Sequence, residues 1–230
     1  MRRIVILVVT VIAIGMTVYL VSTMNFFSQK NNNGQQDAVS QATASRYQEL
    51  EIREYQGVRL DPAIGPRDNS ISGIQTVDLN SYQLQLTGLV DKPTSLSYQE
   101  VLAKEAAQRL ITLYCVEGWQ ATVLWEGVPI TDLLAEAGIK DEATTVIFHC
   151  VDGYTTAMPL TTIKDKDMLL AYSSNGVVLP ASMGFPFIVV AEDKLGYKWA
   201  RWVDQIELSS DEGYKGYWEK RGYPNDATVN

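Results

Sequence analysis

Leu110-Ile111-Thr112-Leu113-Tyr114-Cys115-Val116-Glu117-Gly118-Trp119 is the stretch on which the reading of this chain turns. Its first five residues are largely apolar and include β-branched positions, which predicts a short buried strand. Gly118 supplies the backbone freedom to turn back, and Trp119 roofs the turn. A cysteine at that junction sits on rigid backbone and aims outward, where a soft thiolate can serve as a metal ligand. The same residue also fits a small buried hydrophobe or one half of a disulfide. Cys150 is the second of only two cysteines and the sole candidate partner.

Around this stretch the pattern mixes strands with short helices. Tyr82-Gln83-Leu84-Gln85-Leu86 alternates and stops at Gly88, as a half-buried strand does. Ser97-Tyr98-Gln99-Glu100 is a capping box flanked by Leu96 and Val101, and it predicts a helix running to about Gln108. Pro129 to Asp132 caps a second helix over 133–137, stopped by Gly138. Residues 144–151 predict a central strand, 187–191 another, and 198–208 a long strand carrying Trp199 and Trp202. Irregularly inserted helices among short strands indicate an α+β fold rather than a βαβ array. No Gly-x-Gly-x-x-Gly and no Gly-x-x-x-x-Gly-Lys-Ser/Thr is present, which argues against classical dinucleotide and P-loop sites.

The first thirty residues differ in kind from the rest. Arg2 and Arg3 precede Ile4 to Val21, which carries no charge and would span roughly 27 Å as a helix, close to the hydrocarbon thickness of a bilayer. This predicts a membrane anchor or signal over 1–27, with the arginines cytoplasmic and the bulk of the chain outside. Residues 28–46 are Asn-, Gln- and Ser-rich and read as a flexible polar linker. Residues 47–230 suffice for one domain. Three of the 19 basic residues and none of the 27 acidic ones lie in the first thirty, so the remainder carries a net charge of −11. Such a surface repels nucleic acid and anionic headgroups, and no nucleic-acid partner is expected.

Four further clusters could carry chemistry. They are Arg67-Asp68-Asn69, the turn Asp152-Gly153-Tyr154, the Gly184-Phe185-Pro186 segment, and Gly196-Tyr197-Lys198-Trp199-Ala200-Arg201-Trp202. The last places two cations beside aromatic rings, which suits a phosphate and a stacked ring, or equally a solvated strand edge. His149 is the only histidine, so a multi-histidine zinc site is excluded, and the lack of a nucleophile elbow argues against a hydrolase.

Taken in order, these clusters resemble the molybdopterin-binding domain of the sulfite oxidase superfamily. The likeness runs from about Arg67 to Tyr223. It includes Gly88-Leu89-Val90, Cys115-Val116-Glu117-Gly118-Trp119, Trp125-Glu126-Gly127-Val128-Pro129, Asp152-Gly153-Tyr154, Gly184-x-Pro186 and Gly196-Tyr197-Lys198-Trp199. The tail Gly216-Tyr217-Trp218-Glu219-x-Arg221-Gly222-Tyr223 closes the set. The layout is similar to the minimal bacterial members, which include the exported catalytic subunit that reduces methionine sulfoxide residues.

The resemblance implies a molybdenum-molybdopterin cofactor with Cys115 as the catalytic protein ligand to the metal. Glu117, Gly118 and Trp119 would shape the metal pocket. Lys198, Trp199 and Arg201 would clamp the pterin and its phosphate, and Arg67 and Asn69 would hold the pterin from the N-terminal side. Cys150 falls where the family places a residue near the cofactor. Asp152, Tyr154, Gly184, Phe185, Pro186 and Tyr197 complete the expected cofactor-binding set. Two departures stand out: Ile188 replaces the arginine of a Gly-x-Pro-Leu-Arg pattern, and Met183 replaces a polar residue. The implied function is a membrane-tethered, extracytoplasmic oxidoreductase moving an oxygen atom to or from a small substrate of the sulfoxide or sulfite class. Its electrons would be exchanged with a membrane, periplasmic or extracellular redox partner. The alternative is a metal-free ligand- or partner-binding module on the same fold.

Overall fold

A computed structural model describes residues 43–65 and 68–229. The expected anchor over 1–27, most of the linker, and Arg67 lie outside the described residues. Two units make up the chain, Met1–Arg46 and Tyr47–Asn230, and the second holds the sheets and the cleft. No helix among the described residues is long and apolar enough to cross a membrane.

Two five-stranded sheets form the frame. The first contains β3 (Leu84–Gly88), β4 (Thr94–Leu96), β7 (Thr145–Cys150), β8 (Thr155–Pro159) and β12 (Val203–Ser209), in the order β4-β3-β12-β7-β8. β12 lies parallel to β3 and antiparallel to β7, so a late strand is inserted between two earlier ones. The second contains β5 (Ala107–Tyr114), β6 (Gln120–Pro129), β9 (Leu169–Ser174), β10 (Val177–Val178) and β11 (Ile188–Val190). A small separate hairpin pairs β1 (Glu54–Tyr55) with β2 (Val58–Arg59). Leu84, Phe148 and Ile206 of the first sheet and Val123, Leu170 and Val189 of the second belong to one apolar cluster. Trp125 and Trp199 meet within it, ring centres 5.6 Å apart.

The mixed sheets with few short helices agree with the α+β expectation. Several elements differ from the sequence reading. Helix α1 (Tyr98–Leu102) has the expected capping box, Ser97 accepting from the Glu100 N–H and Glu100 returning to the Ser97 backbone. It stops at Ala103 instead of reaching Gln108, because residues 107–114 pair with β6 in register from Ala107↔Gly127 to Tyr114↔Gln120. Eight cross-strand partners outweigh the helix preference of a few alanines. Helix α2 (Ile130–Ala137) begins directly after β6, earlier than the expected start at 133 and with no side-chain cap, and ends at the expected Gly138, whose φ of 74° supplies the stop. Helix α3 (Leu160–Asp165) follows β8 in the same way. The predicted strand over 198–208 is also shorter. Residues Gly196–Lys198 form a 3-10 turn, Trp202 has a φ of 54°, and extended structure begins only at Val203.

Candidate active site

Cys115 occupies the first position of the β5–β6 connection. The turn is closed by two backbone bonds, Cys115 N–H to Trp119 carbonyl at 2.9 Å and Gly118 N–H to Cys115 carbonyl at 3.0 Å. Gly118 has a φ of 86°, in the left-handed region that a side chain resists. A parallel bridge between Tyr114 and Leu195 brings the 195–199 loop alongside. Gly196 lies against the turn, its Cβ position at contact distance from the Tyr114 carbonyl (3.4 Å) and Cys115 Cα (3.8 Å). Cys115 and Cys150 are both free thiols, which removes the disulfide alternative from the structure.

The Cys115 side chain opens into a cleft of about 340 Å³, in the range of small-molecule sites. Six stretches wall it: Asn69 to Ile71; Leu113 with Cys115, Val116, Glu117 and Trp119; Asp152 with Tyr154; Met183; Gly196 and Tyr197 with Trp199, Arg201 and Trp202; and Trp218 with Tyr223. Asn69 Nδ2 stands 3.6 Å from Cys115 Sγ as a donor. Trp119 Nε1 donates to Glu117 at 3.3 Å. Asp152 accepts from the Tyr154 N–H at 3.0 Å, and the Tyr154 hydroxyl donates to the Tyr197 carbonyl. Burial first, and the nearby Glu219 carboxylate second, push the Tyr154 phenol well above its ordinary value. It is a neutral donor at any physiological pH.

Arg201 is the only cation among the described residues lining the cleft. Its Nη1 donates to the Ser182 carbonyl at 2.8 Å and meets Asp68 at 3.4 Å. Burial pulls the guanidinium below its usual value, while Asp68 and Cys115 oppose that pull. It stays charged at neutral pH because a guanidinium starts so high. Gly184 is what lets Arg201 sit there: a Cβ at 184 would lie 2.8 Å from Arg201 Cβ and 2.9 Å from its Cα.

The structure thus brings Asn69, Cys115, Glu117, Trp119, Asp152, Tyr154, Tyr197, Trp199 and Arg201 to one cleft. It does not bring the others. Gly184 stands against Arg201, Phe185 packs on Tyr98, and neither they nor Pro186 are on the wall, while Gly118 forms the turn without lining the cleft. Cys150 faces the core at the end of β7, where burial and then Asp152 push its thiol well up, so it is an inert packing group. Lys198 requires a correction. Its side chain is fully buried and turned away from the cleft, donating to the Ala157 carbonyl at 2.9 Å, Glu219 at 2.5 Å and Asn225 at 3.0 Å. All three ammonium protons are taken, so it has none for a phosphate. Ile188 is likewise in the core, bridged to Arg201 across the backbone. The sequence reading left out Trp218 and Tyr223 as site residues. The density of aromatics in 214–223 was the available signal.

A family model described as oxidoreductase molybdopterin binding domain matches residues 71–218. The chain belongs to this family. Relatives include the uncharacterized oxidoreductase YuiH of Bacillus subtilis, 37% identical over 64% of this chain and 74% of that protein. A putative protein-methionine-sulfoxide reductase subunit, YedZ1, of Azospira oryzae is 34% identical over 65% of this chain and 57% of its own length. The catalytic subunit MsrP of a protein-methionine-sulfoxide reductase from Gluconobacter oxydans is 30% identical over 60% of this chain and 50% of its own. The chain therefore spans only about half the length of the latter two. The sulfane dehydrogenase SoxCD of Paracoccus pantotrophus shares the fold, with a TM-score of 0.58 and 24% identity over 63% of this chain and 41% of that one.

As a member of this oxidoreductase family the protein takes a molybdenum-molybdopterin cofactor, and the residues present fit the group. Cys115 offers a free thiol at the cleft wall, the soft donor that molybdenum favours. Arg201 offers a desolvated positive charge to an anionic group, and Trp119, Trp199 and Trp218 offer flat apolar walls to a ring system.

Proposed function

We propose that this protein is a membrane-tethered, extracytoplasmic molybdenum oxidoreductase that removes an oxygen atom from a small neutral substrate of the sulfoxide class. The observation that carries the reading is the Cys115 thiol at the wall of an aromatic cleft whose described lining holds one cation, Arg201, against the carboxylates Glu117 and Asp152. Arg201 is already balanced by Asp68. A dianionic substrate such as sulfite would enter against that balance, whereas a dipolar sulfoxide would not. The sulfoxide reductases among the relatives support the same choice. The apolar run Ile4–Val21 behind two arginines supports tethering and export.

The overall conversion takes a sulfoxide, two electrons and two protons to a thioether and water. The bound cofactor supplies the two-electron chemistry. The chain's own residues do the rest. Cys115 would hold the metal, Arg201 would neutralise anionic charge on the cofactor, and Asn69 orients the Cys115 sulfur. Tyr154, Trp199 and Trp218 keep bulk water out of the cleft. The electrons come from a redox protein or quinol at the membrane, which gives an N-terminal tether its purpose.

The test is molybdenum content and turnover of protein made in a host that synthesises the cofactor, beside Cys115→Ser. Near-stoichiometric metal, dye-linked reduction of dimethyl or methionine sulfoxide, and loss of both in the variant are expected. Metal-replete protein that oxidises sulfite and leaves sulfoxides untouched would overturn the substrate assignment. Protein that stays metal-free in that host would overturn the whole reading. Tethering is tested by membrane fractionation with and without residues 1–27.

A further inference from the structure

The segment after β12 crosses the mouth of the cleft as an arch with two feet. The first foot is Gly216-Tyr217, pressed on β8. Tyr217 N–H donates to the Thr155 carbonyl at 2.8 Å, and a Cβ on Gly216 would fall 2.1 Å from that same oxygen. The second foot is 226–229, bonded to the 193–195 loop through Leu195 N–H to Ala227 carbonyl and Val229 N–H to Asp193 carbonyl. Between the feet, Trp218 and Tyr223 face the cleft that holds Cys115. Their rings meet edge-on at 5.2 Å, and Tyr223 meets Tyr197 at 5.3 Å.

We infer that Lys198 is a positioning residue that pins this arch over the active site, and that it does not bind cofactor phosphate. Two of its three acceptors, Glu219 and Asn225, are on the arch and flank Tyr223 on either side. The third, the Ala157 carbonyl, is on β8 in the rigid sheet. Neighbouring Tyr197 adds a bond from its hydroxyl to the Pro224 carbonyl at 2.7 Å. Glu219 also accepts from Thr156 at 2.7 Å, so the carboxylate is held from both sides. Its second oxygen has no hydrogen-bond partner among the described residues. A buried ion pair of this kind adds little to stability, since apolar residues of like volume often serve as well, but it fixes geometry. Burial lowers the Lys198 ammonium's pKa, and the hydrogen-bonded Glu219 carboxylate opposes that pull.

The test uses the full-length holoprotein and two variants. Lys198→Met with Glu219→Gln removes both charges while keeping an acceptor for Thr156. Asn225→Ala removes two bonds at an exposed residue, the one from Lys198 and the one to the Tyr214 carbonyl, and leaves the core whole. Trypsin reads the arch directly, because Lys220 and Arg221 lie at its crown, exposed. The double variant is expected to be cut there at least tenfold faster with the remainder of the chain intact. Its kcat/KM for a sulfoxide should fall at least tenfold, mostly through KM, at near-normal molybdenum content. Asn225→Ala is expected to show the same pattern at about threefold. Wild-type cleavage rates in both variants would overturn the inference, as would faster cleavage with unchanged kinetics. If the double variant does not fold, Asn225→Ala decides alone. The kinetic arm rests on the sulfoxide reading. The proteolytic arm does not, so an inactive wild type would sink the substrate assignment and leave the latch to be judged on cleavage.

Discussion

Alkaline pH should destabilise this protein through two phenols that the fold keeps protonated. Tyr82 donates to the Val203 carbonyl and Tyr154 to the Tyr197 carbonyl, both from within the core. Burial, with Asp204 second for Tyr82 and Glu219 second for Tyr154, drives both pKa values far above 10. An unfolded tyrosine titrates near 10, so each folded phenol retains a proton that the unfolded chain gives up. The stabilisation is therefore complete below pH 10 and is lost as pH rises beyond it, at about 1.4 kcal/mol per pH unit for each group. Between pH 9 and 11 the pair should cost roughly 2.7 kcal/mol, or about 5–11 °C in Tm for a domain of this size. The buried Cys150 thiol shifts in the same direction and adds to the loss. The assay is urea denaturation at half-unit steps from pH 8 to 11, on wild type, Tyr82→Phe and Tyr154→Phe. Each variant should be less stable at pH 8 by about 1–3 kcal/mol, because a buried carbonyl loses its donor. Each should also show a slope above pH 10 that is shallower by one proton. Equal wild-type stability at pH 9 and 11, or variants with the wild-type slope, would refute the reasoning.

Arg201→Met should fold normally but retain cofactor about 10- to 150-fold less well, the equivalent of 1.5–3 kcal/mol for a charge-assisted bond. Molybdenum remaining after gel filtration reads this out. Ser97→Ala removes the α1 cap far from the cleft in chain terms and should lower Tm by about 2–4 °C for a loss of about 1 kcal/mol. Its turnover should match wild type. Gly216→Ala places a methyl group 2.1 Å from the Thr155 carbonyl oxygen. It should cost roughly 1–3 kcal/mol by overpacking and speed tryptic cleavage at Lys220 and Arg221.

The Cys115 turn was legible because its signals are local: an apolar strand, a cysteine and a glycine within ten residues. Cys150 was harder to place. Its neighbourhood with Asp152 invites a site, but strand alternation puts it with Phe148 on the core face of β7. The run from Lys198 to Leu208 looked continuous because Trp and Val both favour strands. Nothing local announces that Trp202, next to the cleft-lining Arg201, adopts a φ of 54°. Lys198 shows the same limit most sharply. Its direction is set by Glu219, Asn225 and Ala157, which lie 21, 27 and 41 residues away. A lysine between two aromatics carries no sign of partners at such separations. The shortened α1 helix is the reverse case, where a correct local cap was overruled by pairing that extends to Gly127.

The cleft's walls come from stretches as far apart as Asn69 and Tyr223. β12, the strand inserted between β3 and β7, must also be in place before Arg201 and the 195–199 loop have a fixed position. Synthesis delivers the chain from the N-terminus at about 5–20 residues per second. Once β6 is made at residue 129, Cys115 can sit on its hairpin while the later residues that would enclose a ligand beside it do not yet exist. The pterin can therefore be captured by the hairpin early but enclosed only after residue 223 has emerged. A chain that stalls before the arch would display its thiol in an open groove lacking the Trp218 and Tyr223 wall.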